Sequence, residues 1–108
     1  MIDSKFVGKT LYVGLNGELD EHSALFVRNK LDELIDSADV RKLIIELSGL
    51  NFMDSTGIGV LLGRYKKLSN LGIPILIANP NKSVDKILTL SGIYKIMPKI
   101  AIINLAQR

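Results

Sequence analysis

The sequence has 108 residues, 47% of them apolar, with a net charge of +3 and no cysteine. That length suits a single domain, residues 1–108, with a core of its own. The absence of cysteine excludes disulfides and thiolate metal sites and fits a reducing cytoplasm. Lys and Arg are scattered among acids with only three Tyr and three Phe, so no basic–aromatic stretch favours nucleic acid, and no apolar run approaches the ~18 residues of a membrane span.

In chain order, Ile2 to Val7 and Thr10 to Asn16 flank Gly8-Lys9, a Gly-X link that predicts a type II′ hairpin. Met1 to Lys5 lacks the basic-then-apolar order of a signal peptide. Leu11, Val13 and Leu15 alternate with more polar positions, which predicts one buried face. Gly17 to Asp20 then leads into a helix with Ala24, Val27, Leu31, Leu34, Ile35 and Ala38 at helical spacing. The apolar run Leu43 to Leu47 suits a central strand covered on both faces. A second helix is predicted from about Thr56 to Leu71, ended by Gly72. Ile73 to Ala78 reads as another buried strand, and Ser83 to Leu90 as a third helix stopped by Ser91-Gly92. Lys95 to Met97 is expected as a short edge strand and Ile100 to Ala106 as a last helix. Strands alternating with helices imply an α/β fold with a mixed, mostly parallel sheet opened by an N-terminal hairpin.

Binding sites of open α/β sheets form at the carboxyl ends of parallel strands. Three polar loops are predicted on that rim: Gly17 to His22, Met53 to Gly57 and Asn79 to Ser83. In the second loop Ser55 falls at or beside the N-cap of the second helix. Capping alone accounts for a serine there. The same helix end also tolerates a phosphate, so modification of Ser55 beside Asp54 is the functional reading set against capping. Gly57 and Gly59 are expected to let the helix pack closely on the sheet while leaving Ser55 open.

Other motifs carry less. Gly57, Gly59 and Gly63 miss the dinucleotide-loop spacing by one residue, and no acidic residue stands where a ribose would need one. Gly8-Lys9-Thr10 lacks the upstream glycine of a phosphate loop, and Asp54-Ser55-Thr56-Gly57 is a single motif with the wrong spacing for an aspartic protease. His22 is the only histidine, so no triad or histidine metal cluster can be assembled without it. Arg64, Lys66 and Lys67 are expected on a solvated face, complementing the helix dipole. No cofactor or metal is implied.

The stretch from Leu43 to Leu68, "LIIELSGLNFMDSTGIGVLLGRYKKL", resembles the central segment of anti-sigma factor antagonists, whose fold is called the STAS domain. "GELDEH" and "LSGIYKI" resemble the second-strand and third-helix endings of the sporulation branch of that family. The likeness runs from about Thr10 to Met97. It implies a switch rather than an enzyme. The unphosphorylated antagonist binds an anti-sigma factor that is also a serine kinase, and binding frees the sigma factor. The kinase phosphorylates a serine matching Ser55, and a serine phosphatase resets it. Asp20, Asp54, Thr56, Gly57 and Ile58 match or adjoin the binding surface around that serine. Thr56 stands where a second serine is common. A STAS scaffold or sensor subunit of a stress-signalling assembly is the alternative within the fold, but such subunits usually carry an N-terminal domain, for which this chain has no room. A nucleotide-binding protein is the alternative outside it. A cytoplasmic monomer is the simplest expectation.

Overall fold

The computed structural model describes residues 1–102. Its elements are β1 (Ile2–Val7), β2 (Thr10–Leu15), β3 (Gly17–Leu19), α1 (Ala24–Asp36), β4 (Lys42–Glu46), β5 (Leu50–Met53), α2 (Ser55–Ser69), β6 (Ile75–Ala78), α3 (Lys82–Ser91), a 3-10 turn (Ile93–Lys95) and β7 (Lys99–Ile100). The main sheet runs β1-β2-β4-β6-β7. β1 and β2 form the antiparallel hairpin, with Val7 opposite Thr10 and Gly8 at φ +60 in the turn. β2, β4, β6 and β7 pair in parallel.

The alternation read from the sequence is what builds the core. Leu11, Val13 and Leu15 of β2 stand in one layer with Leu43 and Ile45 of β4 and with Ile75 and Ile77 of β6. Against that layer pack Val27, Leu31 and Ile35 of α1, Val60, Leu61 and Leu68 of α2, and Val84 and Leu88 of α3. Each side chain of this kind contributes roughly 1.5–3 kcal/mol on burial. β4 is also buried at Ile44 and Glu46, as a central strand requires.

Three expectations need correction. First, Gly17–Leu19 and Leu50–Met53 are strands, and they pair in parallel as a separate two-stranded sheet. Both are too short to show a period. They exist because each chain breaks direction after its main-sheet strand at the same level. Gly17 takes φ +89, a Cβ on Gly49 would run into the Asn16 side chain, and Gly17 N–H donates to the Gly49 carbonyl at 3.0 Å. The Asn16 side chain lying against Gly49 and a left-handed turn at Gly17 are conditions that glycine meets. Second, Lys95 to Met97 is not the edge strand. Residues 93–95 wind into the 3-10 turn, Met97 is buried, and the edge strand is Lys99–Ile100. Third, Ile100 belongs to that strand and not to a helix; the remainder of the expected last helix, from residue 103, lies outside the described residues.

Candidate functional site

The small β3–β5 ribbon builds the site. In its parallel register Leu19 lies opposite Met53. The residue after each strand is an aspartate, Asp20 and Asp54, so the two follow neighbouring strand ends, and paired strands lie about 5 Å apart. Asp54 N–H leans back toward the Leu19 carbonyl at 3.4 Å.

Each aspartate then organises a helix start. Asp54 is the N-cap of α2, with an extended backbone (φ −118, ψ −169), and its Oδ1 accepts from Thr56 N–H at 2.9 Å and Gly57 N–H at 3.3 Å. Asp20 Oδ1 accepts from His22 N–H at 2.9 Å and Ser23 N–H at 3.2 Å. Ser23 Oγ donates to the Glu18 carbonyl at 2.7 Å and accepts from Asp20 N–H at 3.1 Å, which closes the turn before α1.

Because Asp54 performs the capping, Ser55 does not. Ser55 is the first residue inside α2 and is exposed. Among the described residues its Oγ has no hydrogen-bond partner. The capping explanation for this serine is therefore corrected: the adjacent aspartate satisfies the orphan amides, and the hydroxyl is presented to solvent at the positive end of the helix dipole. Thr56 is exposed beside it, and Ile58 is half-buried against the core.

The glycines differ in what they do. A Cβ on Gly57 would lie 2.6 Å from Met53 Cγ and 2.9 Å from the Leu19 carbonyl oxygen. The first turn of α2 thus rests directly on the ribbon, which fixes Ser55 relative to both aspartates. A Cβ on Gly59 would meet nothing within 4 Å. Its small size leaves space at the surface rather than allowing contact with the sheet, unlike the close packing expected of it.

The third loop joins the same rim through asparagine side chains. Asn81 caps α3, accepting from Val84 N–H at 3.0 Å, and its Nδ2 donates to the Leu50 carbonyl of β5 at 2.7 Å. Asn79, at φ +55, donates through Nδ2 to Glu46 Oε2 at 3.0 Å and to the Ile102 carbonyl at 2.7 Å. Glu46 is only 3% exposed, and its Oε1 also accepts from the N–H and the hydroxyl of Ser48, each at 2.9 Å. The sequence placed Glu46 in an apolar strand and gave no sign of this bracing role.

Beside Ser55 a groove of about 340 Å³ runs between α1 and α2, lined by Glu21, Ala24, Leu25, Arg28, Thr56, Gly59 and Val60. Leu25 and Phe26 are 60% and 57% exposed, and Leu62 is exposed on α2. Leu25 and Phe26 were not singled out from the sequence. The available signal was that they fall off the apolar stripe of α1. Across the same helix pair, Arg64 is buried and not solvated as expected. Its Nε lies 3.0 Å from Asp32 Oδ1, without hydrogen-bond alignment, and Lys67 meets Asp36 at 3.1 Å. His22 is exposed, with Glu21 3.7 Å away, and no acidic, histidine or cysteine cluster among the described residues could hold a metal. No helix among them is long and apolar enough to cross a membrane.

Comparison with known proteins agrees with this geometry. The family model described as the STAS domain matches residues 1–105. An anti-sigma F factor antagonist from Paenibacillus polymyxa is 42% identical over 88 residues, covering 82% of this chain and 75% of the relative. An anti-sigma-B factor antagonist from Bacillus subtilis is 31% identical, covering 89% of this chain and 86% of the relative. The solved structure of the anti-sigma factor antagonist SpoIIAA in its unphosphorylated form superimposes with a TM-score of 0.82 at 28% identity, covering 99% of this chain and 92% of that one. The Bacillus SpoIIAA structure in the phosphorylated form gives 0.75 at 27% identity, covering 99% and 96%. A paired-strand platform carrying two aspartates and a helix-start serine, together with these matches, establishes that the chain belongs to the STAS-domain family.

Proposed function

We propose that this chain is an anti-sigma factor antagonist that acts by binding, not by catalysis, and that Ser55 is its switch. In the unphosphorylated state the surface formed by Asp20, Asp54, Ser55, Thr56 and Ile58 binds an anti-sigma factor that is also a serine kinase, and the sigma factor is released. Gly57 serves that surface from beneath, by letting α2 sit on β3. Phosphorylation of Ser55 ends the association, and a serine phosphatase restores it. The working place is the cytoplasm, with residues 1–108 acting as one domain.

The observation that carries this reading is the division of labour at the start of α2. Asp54 caps the helix, so the Ser55 hydroxyl is exposed and uncommitted. A kinase can reach it, and modifying it removes no bond that holds the fold together. A phosphate adds about −1.5 to −2 charges. It arrives next to Asp54 and Asp20, on a surface where a partner must dock closely. Like charge and bulk together supply the roughly 1–3 kcal/mol of coupling that such switches need, about 5–150-fold in affinity. Blocking is direct, with little change of backbone, because the positive end of the α2 dipole tolerates the added charge and the Asp54 capping bonds need not break. The relatives named as antagonists, and the similar protein solved in both phosphorylation states, support the reading.

The test is intact mass with site mapping after incubation with the cognate anti-sigma factor kinase and ATP, for the wild type, Ser55→Ala and Thr56→Ala. The expected result is one phosphate on Ser55 in the wild type and in Thr56→Ala, and none in Ser55→Ala. Phosphate on Thr56 alone, or none while the kinase modifies a control substrate, would overturn the assignment.

A further inference from the structure

We infer that the exposed edge of β1 is a self-complementary surface that pairs with a second copy of this chain. β1 is the terminal strand of the main sheet. Its hairpin register fixes which backbone groups face outward. Asn16 N–H donates to the Met1 carbonyl at 2.8 Å, so Met1 and Asn16 form a hydrogen-bonded pair. In an antiparallel ladder such pairs alternate with non-bonded ones. With Asp3 opposite Gly14, Lys5 opposite Tyr12 and Val7 opposite Thr10, those three residues bond inward to β2. The N–H and C=O groups of Ile2, Ser4 and Phe6 therefore point away from the sheet.

The residue order of this strand reads alike from either end. Met1-Ile2-Asp3-Ser4-Lys5-Phe6-Val7 is apolar, apolar, acid, serine, base, apolar, apolar. Place a two-fold axis at Ser4 and lay a second β1 antiparallel to the first. Ser4 then exchanges both backbone bonds with Ser4 of the second copy, and Ile2 does so with Phe6 at each end. These are the residues whose groups are free, so hydrogen-bond phase and sequence symmetry select the same register. Asp3 falls opposite Lys5 of the second copy in a non-bonded pair, where side chains approach most closely. Met1 falls opposite Val7. Met1, Phe6 and Val7 are 43%, 42% and 48% exposed, so the pairing covers apolar surface. Among the described residues neither Asp3 nor Lys5 has an ion-pair partner, and Asn16 Nδ2 holds Asp3 through Oδ2.

A charged edge normally discourages indiscriminate strand pairing. Here the acid and base are placed symmetrically, so the same charges that disfavour other strands favour a copy of this one. The arrangement is an isologous dimer with a continuous sheet. Both Ser55 rims stay uncovered, at opposite ends of that sheet. One strand pair buries less than the ~1,600 Å² of a standard interface, so the association is weak and concentration-dependent.

Sedimentation velocity from about 10 μM to about 1 mM tests this. The wild type is expected to shift reversibly from monomer to dimer over that range. Lys5→Asp and Asp3→Lys each place like charges across both pairs and are expected to weaken association about tenfold or more. An equimolar mixture of the two variants, and the double variant Asp3→Lys/Lys5→Asp, are expected to recover it, with circular dichroism showing each variant folded. A wild type that stays monomeric at the highest concentration overturns the inference. So do single variants that associate like the wild type, and swapped charges that fail to restore pairing.

Discussion

Replacing Gly57 by alanine tests whether the seat of α2 on the β3–β5 ribbon sets the position of Ser55. In an open helix the substitution stabilises by up to about 1 kcal/mol, because glycine loses more backbone freedom on folding. At Gly57 the new methyl would lie 2.6 Å from Met53 Cγ, 2.9 Å from the Leu19 carbonyl oxygen and 3.0 Å from Leu19 Cγ. Met53 is flexible, but it is fully buried, and the Leu19 carbonyl is backbone in a paired strand. Relief requires α2 to move off the ribbon, an overpacking cost of about 1–3 kcal/mol. Gly59→Ala is the matched control, two residues further along the same helix, where the methyl meets nothing within 4 Å. Gly59→Ala is expected to gain up to about 1 kcal/mol, and Gly57→Ala to lose about 1–2 net. Urea denaturation reads the difference as a midpoint gap of about 1 M or more between the two variants at equal slope. Gly57→Ala should also lower the rate of Ser55 phosphorylation, since the serine moves with its helix. Equal stabilisation by both alanines would refute the close seating of α2.

Other expectations follow from neighbouring contacts. Ser55→Ala should change stability by less than about 0.5 kcal/mol, whereas Asp54→Ala should cost about 1 kcal/mol through the lost cap; thermal or urea unfolding separates them. Arg64→Ala leaves Asp32 without its main partner between α1 and α2 and should cost about 1–3 kcal/mol, discounted from a fully buried pair because Asp32 is partly exposed. The Arg64→Ala/Asp32→Ala double variant should cost less than the two single changes added together, as a double-mutant cycle would show. Near α3, the Tyr94 hydroxyl donates to Asp85 at 2.6 Å and Lys99 Nζ donates at 3.0 Å, which together hold the Asp85 carboxyl below its ordinary value of 3.8. A depressed carboxyl pKa contributes stability that is present above the unfolded value and lost as pH falls through the folded one, so this contribution disappears in acid below about pH 4. Tyr94→Phe should move the Asp85 titration upward toward 3.8, read by NMR of the carboxyl carbon. Burial and the Asp85 bond raise the Tyr94 phenol, so the wild type is expected to lose stability at strongly alkaline pH, where the unfolded tyrosine ionises first.

Much of this protein is determined by local pattern. The alternation in β2, the nearly continuous apolar run of β4 and the helical stripes of α1 and α3 were legible because each pattern is local to its own element. The hairpin was legible from Gly8-Lys9, and the loops that share the rim followed from strand direction. Ser55 stood out from its neighbours and from the resemblance they carry. Tertiary structure decided what those residues do together. β3 and β5 are too short to declare a period and form only because they meet each other, beside Gly17 and Gly49. That meeting sets Asp20 beside Asp54. It also seats α2 so that Asp54, not Ser55, caps the helix. Burial of Arg64 and Glu46 was equally invisible, since a charged residue shows in sequence as polar whether solvent or a partner satisfies it. The sequence determines elements whose stability is local; pairings between distant residues, and the exposure they leave behind, are settled only when the chain closes on itself.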